Sequence, residues 1–259
     1  PEPSGSPVPA GSRGAVVVWS GAFPGGDYRI TFEGRGGADL WVQSGGDAFG
    51  ASFVNGVREG TINLPAAHPS ILAVGCTVDR PRWQSIAEGT VSLVAPVLDA
   101  AGGRPALGAA PRGVNDGEVC WFSSAGPNAN GLTKPEIAAP GAGVVASMSK
   151  AAAPPSAGSI FTVATCPLAG GKRDVRCLQV DDLHAVAVGT SMAAPHVSGA
   201  VALLLERDPT LTQEKAVVLL QAGAQRFRAP VAFYDQGGPG EPDVRAAREA
   251  RDGRRTRPL

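Results

Sequence analysis

The chain has 259 residues, of which 23 are basic (Lys and Arg) and 23 are acidic, so its formal net charge is zero. Because nucleic acids and anionic membranes both attract strongly basic proteins, this balance argues against either as the main partner. A hydrophobic content of 43% is sufficient for the core of one domain or of two small ones, and no apolar run approaches the about 18 residues that a transmembrane helix needs.

Residues 1–60 predict a linker followed by a β-rich module. Residues 1–12 (PEPSGSPVPAGS) have the composition of a linker, which indicates that the chain is part of a longer polypeptide. Beyond them, glycine-rich turns separate segments of alternating hydrophobicity, as in an antiparallel meander. The predicted strands are Ala15–Trp19, Tyr28–Phe32, Ala38–Gln43 and Ser52–Val57. One face of this module is expected to be buried through Tyr28, Ile30, Phe32, Leu40 and Val42.

Residues 61–250 change character and predict an α/β domain. The apolar run Ile71–Val78 is typical of a strand that is buried on both faces of a parallel sheet. Val144–Met148 predicts a second short strand. The residues between them, from 79 to 118, are irregular and rich in Pro and Gly, and residues 150–180 are interpreted as a surface loop.

Two helices are predicted near the end of this domain. Ser191–Glu206 is apolar on nearly all sides, so we expect it to be buried, and Pro195 requires it to begin near Ser191. Thr212–Ala222 opens with Thr-Gln-Glu and has the pattern of an amphipathic surface helix. Residues 251–259 (RDGRRTRPL) form a short basic tail.

The four cysteines are not arranged as a metal site. None belongs to a CxxC pair, and the chain has only three histidines, which argues against structural zinc. Cys166 and Cys177 flank a short polar loop that a disulfide could close, so a disulfide and two free thiols both remain open. Cys76 lies inside an apolar run and is interpreted as a buried free thiol.

The segment Gly189–Val197 (GTSMAAPHV) carries the chemistry of the chain. Ser191 follows a short apolar strand, Ala185–Val188, and stands at the start of a predicted helix. The free N–H groups and positive dipole end of a helix stabilise a developing oxyanion, while Gly189 allows a sharp turn and the close approach of a substrate carbonyl. From the residues alone, Ser191 is either a nucleophile or an N-cap.

This segment resembles the nucleophile signature of the subtilisin-like serine peptidases, in which Gly-Thr-Ser is followed by Met-Ala and Pro-His. Further stretches resemble the family in the family's order: TINLPAAHPSILAVGCTV, FSSAGPNANGLTKPEIAAPGAGVVAS, LLQAGAQ and GGPGEPDVRAA. The resemblance covers about residues 61–250, with inserts at about 80–118 and 150–180. It implies an α/β fold, a parallel sheet with helices on both faces, of which this chain would be the C-terminal half. It also implies secretion.

The resemblance assigns roles to individual residues. Ser191 would be the nucleophile, and its backbone N–H would supply part of the oxyanion hole, with Thr190 beside that hole. Leu64, Pro65 and Ala66 would lie near the main substrate-binding pocket, with the Leu64–Pro65 peptide bond cis. The substrate would be a polypeptide, and no cofactor is implied, although calcium sites are frequent in the family and none can be placed here.

The Asp and His motifs of the family, Asp-x-Gly and His-Gly-Thr-His, do not occur in this chain. His196 is interpreted as a packing or capping residue and His68 as a solvated turn residue. His184, with Asp181 or Asp182, could form a local triad with Ser191. However, an extended strand would place His184 about 23 Å from Ser191.

The oxyanion asparagine of the family, in Ala-Gly-Asn, is also missing from its expected position. If residues 14–25 correspond to the strand before it, Phe23 stands in its place. We prefer the interpretation that residues 15–60 are an insertion and that the Asn, Asp and His precede Pro1. The predicted partner is therefore the N-terminal part of the same precursor, and the predicted function is that of a serine endopeptidase.

A non-catalytic pseudo-peptidase or protein-binding module is the alternative function. Aromatic residues of the β-rich module would then form the recognition surface: Tyr28, Phe32, Trp41 and Phe53. An α/β-hydrolase requires Gly-x-Ser-x-Gly and is excluded, because the fifth position here is Ala193. A nucleotide site is also excluded, because no predicted helix follows the glycine-rich GRGGAD.

Overall fold

The structure is a computed structural model that describes residues 15–18, 26–42, 53, 56–57, 59–87, 89–97, 109–128, 130–156, 158–162, 174–225 and 227. The predicted linker (1–12) and basic tail (251–259) lie outside these residues, so the predicted domain boundaries stay predictions. The strands are β1 (Val74–Val78), β2 (Arg82–Ser85), β3 (Gly89–Ser92), β4 (Val94–Ala95), β5 (Arg112–Gly113), β6 (Ile137–Ser147) and β7 (His184–Val188). The helices are a 3-10 turn (Lys150–Ala152), α1 (Thr190–Arg207) and α2 (Gln213–Ala222).

The central sheet has the order β1-β6-β7 and is mixed. β1 runs parallel to β6, as its apolar composition predicts, whereas β7 runs antiparallel to β6. β6 is longer than the strand predicted at Val144–Met148 and begins seven residues earlier, at Ile137. Small residues and a proline in its first half (IAAPGAG) hide the strand from a hydrophobicity pattern.

Outside the central sheet, antiparallel strands form two further pairs, β2 with β3 and β4 with β5, within the segment that the sequence marks as irregular. Among the described residues of 15–60, no strand is assigned. The expected buried face there is wrong, since Tyr28, Ile30 and Phe32 are 65%, 43% and 62% exposed. A segment without a paired strand or a covering layer buries neither face, whatever its alternation. Half of the predicted strand at 52–57 falls outside the described residues.

The main core cluster joins both helices to the central sheet. One stripe of α1 faces β6, where Ile137 and Ala139 are buried, and α2 adds Leu220 to the same cluster. The stripe consists of Ala193, Val197, Ala200 and Leu204. The expectation that α1 is buried on all sides is wrong, because Leu203 is 44% and Leu205 37% exposed.

The helix boundaries agree with the sequence to within one residue. α1 begins at Thr190, so Pro195 lies in its second turn, where it cannot donate a hydrogen bond to the Ser191 carbonyl. α2 follows Thr212, whose side chain caps the helix by accepting the Lys215 N–H. No helix among the described residues is long and apolar enough to cross a membrane.

Cys76 is not a free thiol, which corrects the prediction: it forms a disulfide with Cys120. The backbone brings the two together, because the Cys120 N–H donates to the Cys76 carbonyl oxygen at 2.8 Å. Their Cα atoms are 5.3 Å apart, within the usual range for disulfides. Cys177 is also disulfide-bonded, while Cys166 lies outside the described residues.

Candidate active site

Ser191 is the second residue of α1 and is exposed. The N-cap position belongs to Gly189, so the interpretation of Ser191 as the N-cap is wrong. Gly189 has φ 157° and ψ 156°, a conformation that side-chain-bearing residues rarely adopt. The hydroxyl of Ser191 therefore stands at the helix N-terminus without serving as its cap.

The central sheet holds the start of α1 in place. The Gly189 N–H donates to the Gly141 carbonyl oxygen on β6 at 2.8 Å. A Cβ on Gly141 would lie 2.8 Å from both the Gly189 oxygen and the Cys76 Sγ, so no side chain fits there. Consequently the backbone of β6 lies directly against the turn that precedes Ser191.

The first turn of α1 offers hydrogen-bond donors to an anion. The Met192 N–H bonds back to Gly189 at 2.9 Å, and the N–H groups of an α-helix's first residues have no carbonyl of the preceding turn to bond. With the positive end of the helix dipole, these groups favour negative charge close to Ser191.

A small pocket of about 190 Å³ brings predicted site residues together: Leu64, Ala66 and Thr190 line it. The Leu64–Pro65 peptide bond is cis, as predicted. The turn that carries these residues is held by the Ala67 N–H, which donates to the Asn63 oxygen at 3.0 Å. Asn128 Nδ2 also donates to the Ala67 oxygen at 2.7 Å, so buried contacts fix the turn opposite the start of α1.

A second, larger cavity of about 300 Å³ lies on the side of Gly189 and Val188. Apolar side chains line it, among them Leu93, Val94 and Trp121. No pattern in the sequence predicts this cavity, because Leu93 and Val94 belong to a Pro- and Gly-rich segment interpreted as irregular. The apolar pair in that segment was the signal that could have pointed to it.

His184 pairs with Asp181 but does not reach Ser191. Its Nδ1 lies 2.9 Å from both Asp181 carboxylate oxygens. Two hydrogen bonds hold the pKa of Asp181 below its usual range. The larger effect comes from the Leu183 N–H and the smaller from the His184 ring. His184 pairs with Ser147 at one end of β7, whereas the chain enters α1 from the other end. Four residues of strand separate these ends by about 13 Å, so the local triad is not assembled.

The two remaining histidines also have other hydrogen-bond partners. His196 Nδ1 lies 2.9 Å from the Met192 carbonyl oxygen one turn earlier in α1. His68 is an exposed turn residue, as predicted, and its Nδ1 accepts the Ser70 N–H at 3.1 Å. Within the described ranges, no group of three or more His, Cys, Asp or Glu side chains could hold a metal ion. Phe23 lies outside the described residues.

Comparison with known proteins gives a family. A sequence model of the "Subtilase family" matches residues 29–240. The chain is 29% identical over 114 residues to serine protease AprX of Bacillus subtilis (strain 168), an alignment that covers 44% of this chain and 22% of AprX. The chain thus spans about a fifth of the length of this curated relative.

Two solved structures are also similar. One belongs to the proteases from Pseudoalteromonas arctica, with 24% identity and a TM-score of 0.34, over 52% of this chain and 33% of that chain. The other is fervidolysin from Fervidobacterium pennivorans, a keratinolytic enzyme related to subtilisin. It is 22% identical, with a TM-score of 0.37, over 71% of this chain and 20% of that chain.

Proposed function

Because the chain belongs to the subtilase family, we propose that it is the nucleophile-bearing part of a serine endopeptidase. Family membership indicates a serine peptidase acting on polypeptides. The observation that carries the proposal for this chain is the position of Ser191, exposed at the N-terminus of α1 directly after the Gly189 turn. Its hydroxyl is accessible to a substrate and lies next to the backbone N–H groups of the first turn of α1, which can donate hydrogen bonds to an oxyanion.

In this proposal the reaction is an acyl transfer. Ser191 Oγ attacks the scissile carbonyl while a base removes its proton, and the carbonyl oxygen takes the negative charge. The Ser191 N–H donates a hydrogen bond to that oxygen as part of the oxyanion hole, and Thr190 lies beside this hole. The base then protonates the leaving amine, and water hydrolyses the acyl-enzyme by the same route.

Substrate positioning falls to the residues around the start of α1. Leu64 and Ala66 line the small pocket and, with Pro65 between them in the chain, would contact a substrate side chain. Gly189 would let the substrate backbone approach Ser191. The shared lining of that pocket by Leu64, Ala66 and Thr190 supports these roles.

We propose that the catalytic Asp, His and oxyanion Asn are supplied by the N-terminal part of the same precursor. Each histidine of this chain has another hydrogen-bond partner, and the Asp and His motifs of the family are absent from its sequence. Exposed apolar residues of α1, Leu203 and Leu205, are consistent with a covering segment. Disulfide-bonded Cys76 and Cys120 support an oxidising, extracellular location.

Labelling with a fluorophosphonate probe tests the function. We expect Ser191 to be labelled when the chain is mixed with the N-terminal part of its precursor, and labelling to be lost in Ser191→Ala. Ser198→Ala is the matched control, because Ser198 is another exposed α1 serine, one that hydrogen-bonds to the Ala194 carbonyl. Absence of Ser191 labelling in the mixture would contradict the proposal.

The exposed aromatic residues of the N-terminal region favour a second function, that of a non-catalytic binding module. Tyr28, Phe32 and Trp41 expose more than half of their surface, and exposed aromatic side chains are frequent in binding surfaces. If the mixture is not labelled, this function becomes the better account. Loss of polypeptide binding in Trp41→Ala would then support it.

A further inference from the structure

The larger cavity beside Gly189 has no role in the acyl-transfer chemistry proposed above. Its volume of about 300 Å³ is at the lower end of the range of ligand pockets, roughly 300–1,000 Å³. It opens next to Val188 and Gly189, the residues that lead into α1 and Ser191. A polypeptide bound at Ser191 would therefore pass close to its mouth.

The lining of this cavity is apolar. Leu93, Val94 and Val114 come from the inserted segment, while Trp121 and Phe122 come from the chain after Cys120. Val94 is 56% exposed, so its side chain is accessible at the surface. Arg112 and Glu118, on either side of Val114 in the sequence, form an ion pair with each other.

The wall formed by Trp121 and Phe122 is held rigidly. The disulfide between Cys76 and Cys120 attaches it to β1, and the Ser123 hydroxyl accepts the Cys76 N–H at 3.2 Å. The two rings meet edge to face, with centroids 5.7 Å apart. This wall is thus in place before any ligand binds, which lowers the entropic cost of binding.

We propose that this cavity is a specificity subsite that binds a large apolar side chain of the polypeptide substrate. The assignment of a polypeptide ligand rests on the proposed function. Leucine or phenylalanine would bury apolar surface against Leu93, Val94 and Trp121. A charged side chain would lose its hydration there without gaining a partner. The inserted segment supplies three of the ten lining residues, Leu93, Val94 and Val114, and so contributes to the preference.

Peptide binding to the 259-residue chain tests this proposal without requiring catalysis. The probes are alanine-based hexapeptides that carry a single Leu, Phe or Asp at each position in turn. Binding is followed by fluorine NMR of the chain labelled with 5-fluorotryptophan, and Trp121→Phe identifies the Trp121 signal. We expect a Leu or Phe peptide to shift this signal and to bind at least about tenfold more tightly than its Asp counterpart.

Two matched variants connect this preference to the cavity. Val94→Asp places a charge at the cavity and is expected to remove the preference for Leu or Phe. Val218→Asp makes the same change on α2, where Val218 is 63% exposed and does not line the cavity, and it should leave the preference intact. Equal affinity for Leu and Asp peptides at every position would overturn the proposal. So would equal effects of Val94→Asp and Val218→Asp on the preference, or a Trp121 fluorine signal that no peptide shifts.

The outcomes for the subsite and for the proposed function are separable. Ser191→Ala should bind the peptides as the natural chain does, because the Ser191 hydroxyl does not line the cavity. If the apolar preference is found but Ser191 is never labelled, the subsite stands and the peptidase function fails. If Ser191 is labelled but no preference is found, only the subsite fails.

Discussion

Lys134 is among the largest fully buried side chains of the described residues, with 1% of its surface exposed. Its ammonium donates to the Ile71 carbonyl oxygen and to the Glu136 carboxylate. Lys134→Met would leave that carboxylate without its cation, so we expect the free energy of unfolding to fall by about 3 kcal/mol in urea titrations. Lys215→Met, at an exposed position on α2, should change it by less than about 0.5 kcal/mol. Similar losses in both variants would contradict a specific role for the buried pair.

Glu118 provides a pH-dependent contribution to stability. Burial raises the pKa of Glu118, but hydrogen bonds from Arg112 and Asn115 outweigh it and hold this pKa below its usual range. A depressed carboxyl pKa stabilises the fold above the unfolded value of about 4.5, and this contribution is lost as the pH falls through the folded pKa.

For Glu118→Gln, we therefore expect a loss of up to about 1 kcal/mol of unfolding free energy at pH 7, since the pair is partly solvated. The loss should shrink as the pH falls below the unfolded value of about 4.5. Urea denaturation of both proteins between pH 3 and pH 7 measures the difference. A gap between the two curves that stays constant over this range would exclude the pH-dependent contribution.

At the scale of elements, α1 combines a buried stripe with an exposed apolar side. Leu204 is 2% exposed and belongs to the main core cluster, whereas its neighbour Leu203 is 44% exposed. Leu204→Ala leaves a cavity and should lower the unfolding free energy by about 2–5 kcal/mol. Leu203→Ala removes the same atoms from a half-exposed site and should cost clearly less. Equal losses in urea denaturation would mean that the assigned helix face is incorrect.

At the scale of the whole molecule, the Cys76–Cys120 disulfide closes a loop with a sequence separation of 44 residues. Such a cross-link stabilises a protein mainly by restricting the unfolded chain, so we expect the Cys76→Ala/Cys120→Ala double variant to lose about 2–4 kcal/mol. Urea denaturation measures this loss, and non-reducing peptide mapping of the natural chain is the control. Alkylation of Cys76 in the unreduced, denatured protein would show that the disulfide is absent.

Four elements could be predicted because their sequence signals are local, namely β1, β7, α1 and α2. Apolar runs marked β1 and β7, and the first residues of α1 and α2 were located to within one residue. β6 was found only in part, since Pro140 and its small neighbours give no alternation. The β2–β3 hairpin was missed, because its short strands lie in a segment rich in Pro and Gly.

The sequence by itself determined that Ser191 begins a helix after a glycine turn, and that the family's Asp and His motifs are absent from this chain. These features depend on residues a few positions apart, where backbone conformation and hydrogen bonding act directly. Only the tertiary structure decided that Cys76 bonds Cys120, that His184 lies at the far end of β7, and that an apolar cavity adjoins Gly189. Such contacts join distant segments, so they follow from strand register and packing, which no local pattern specifies.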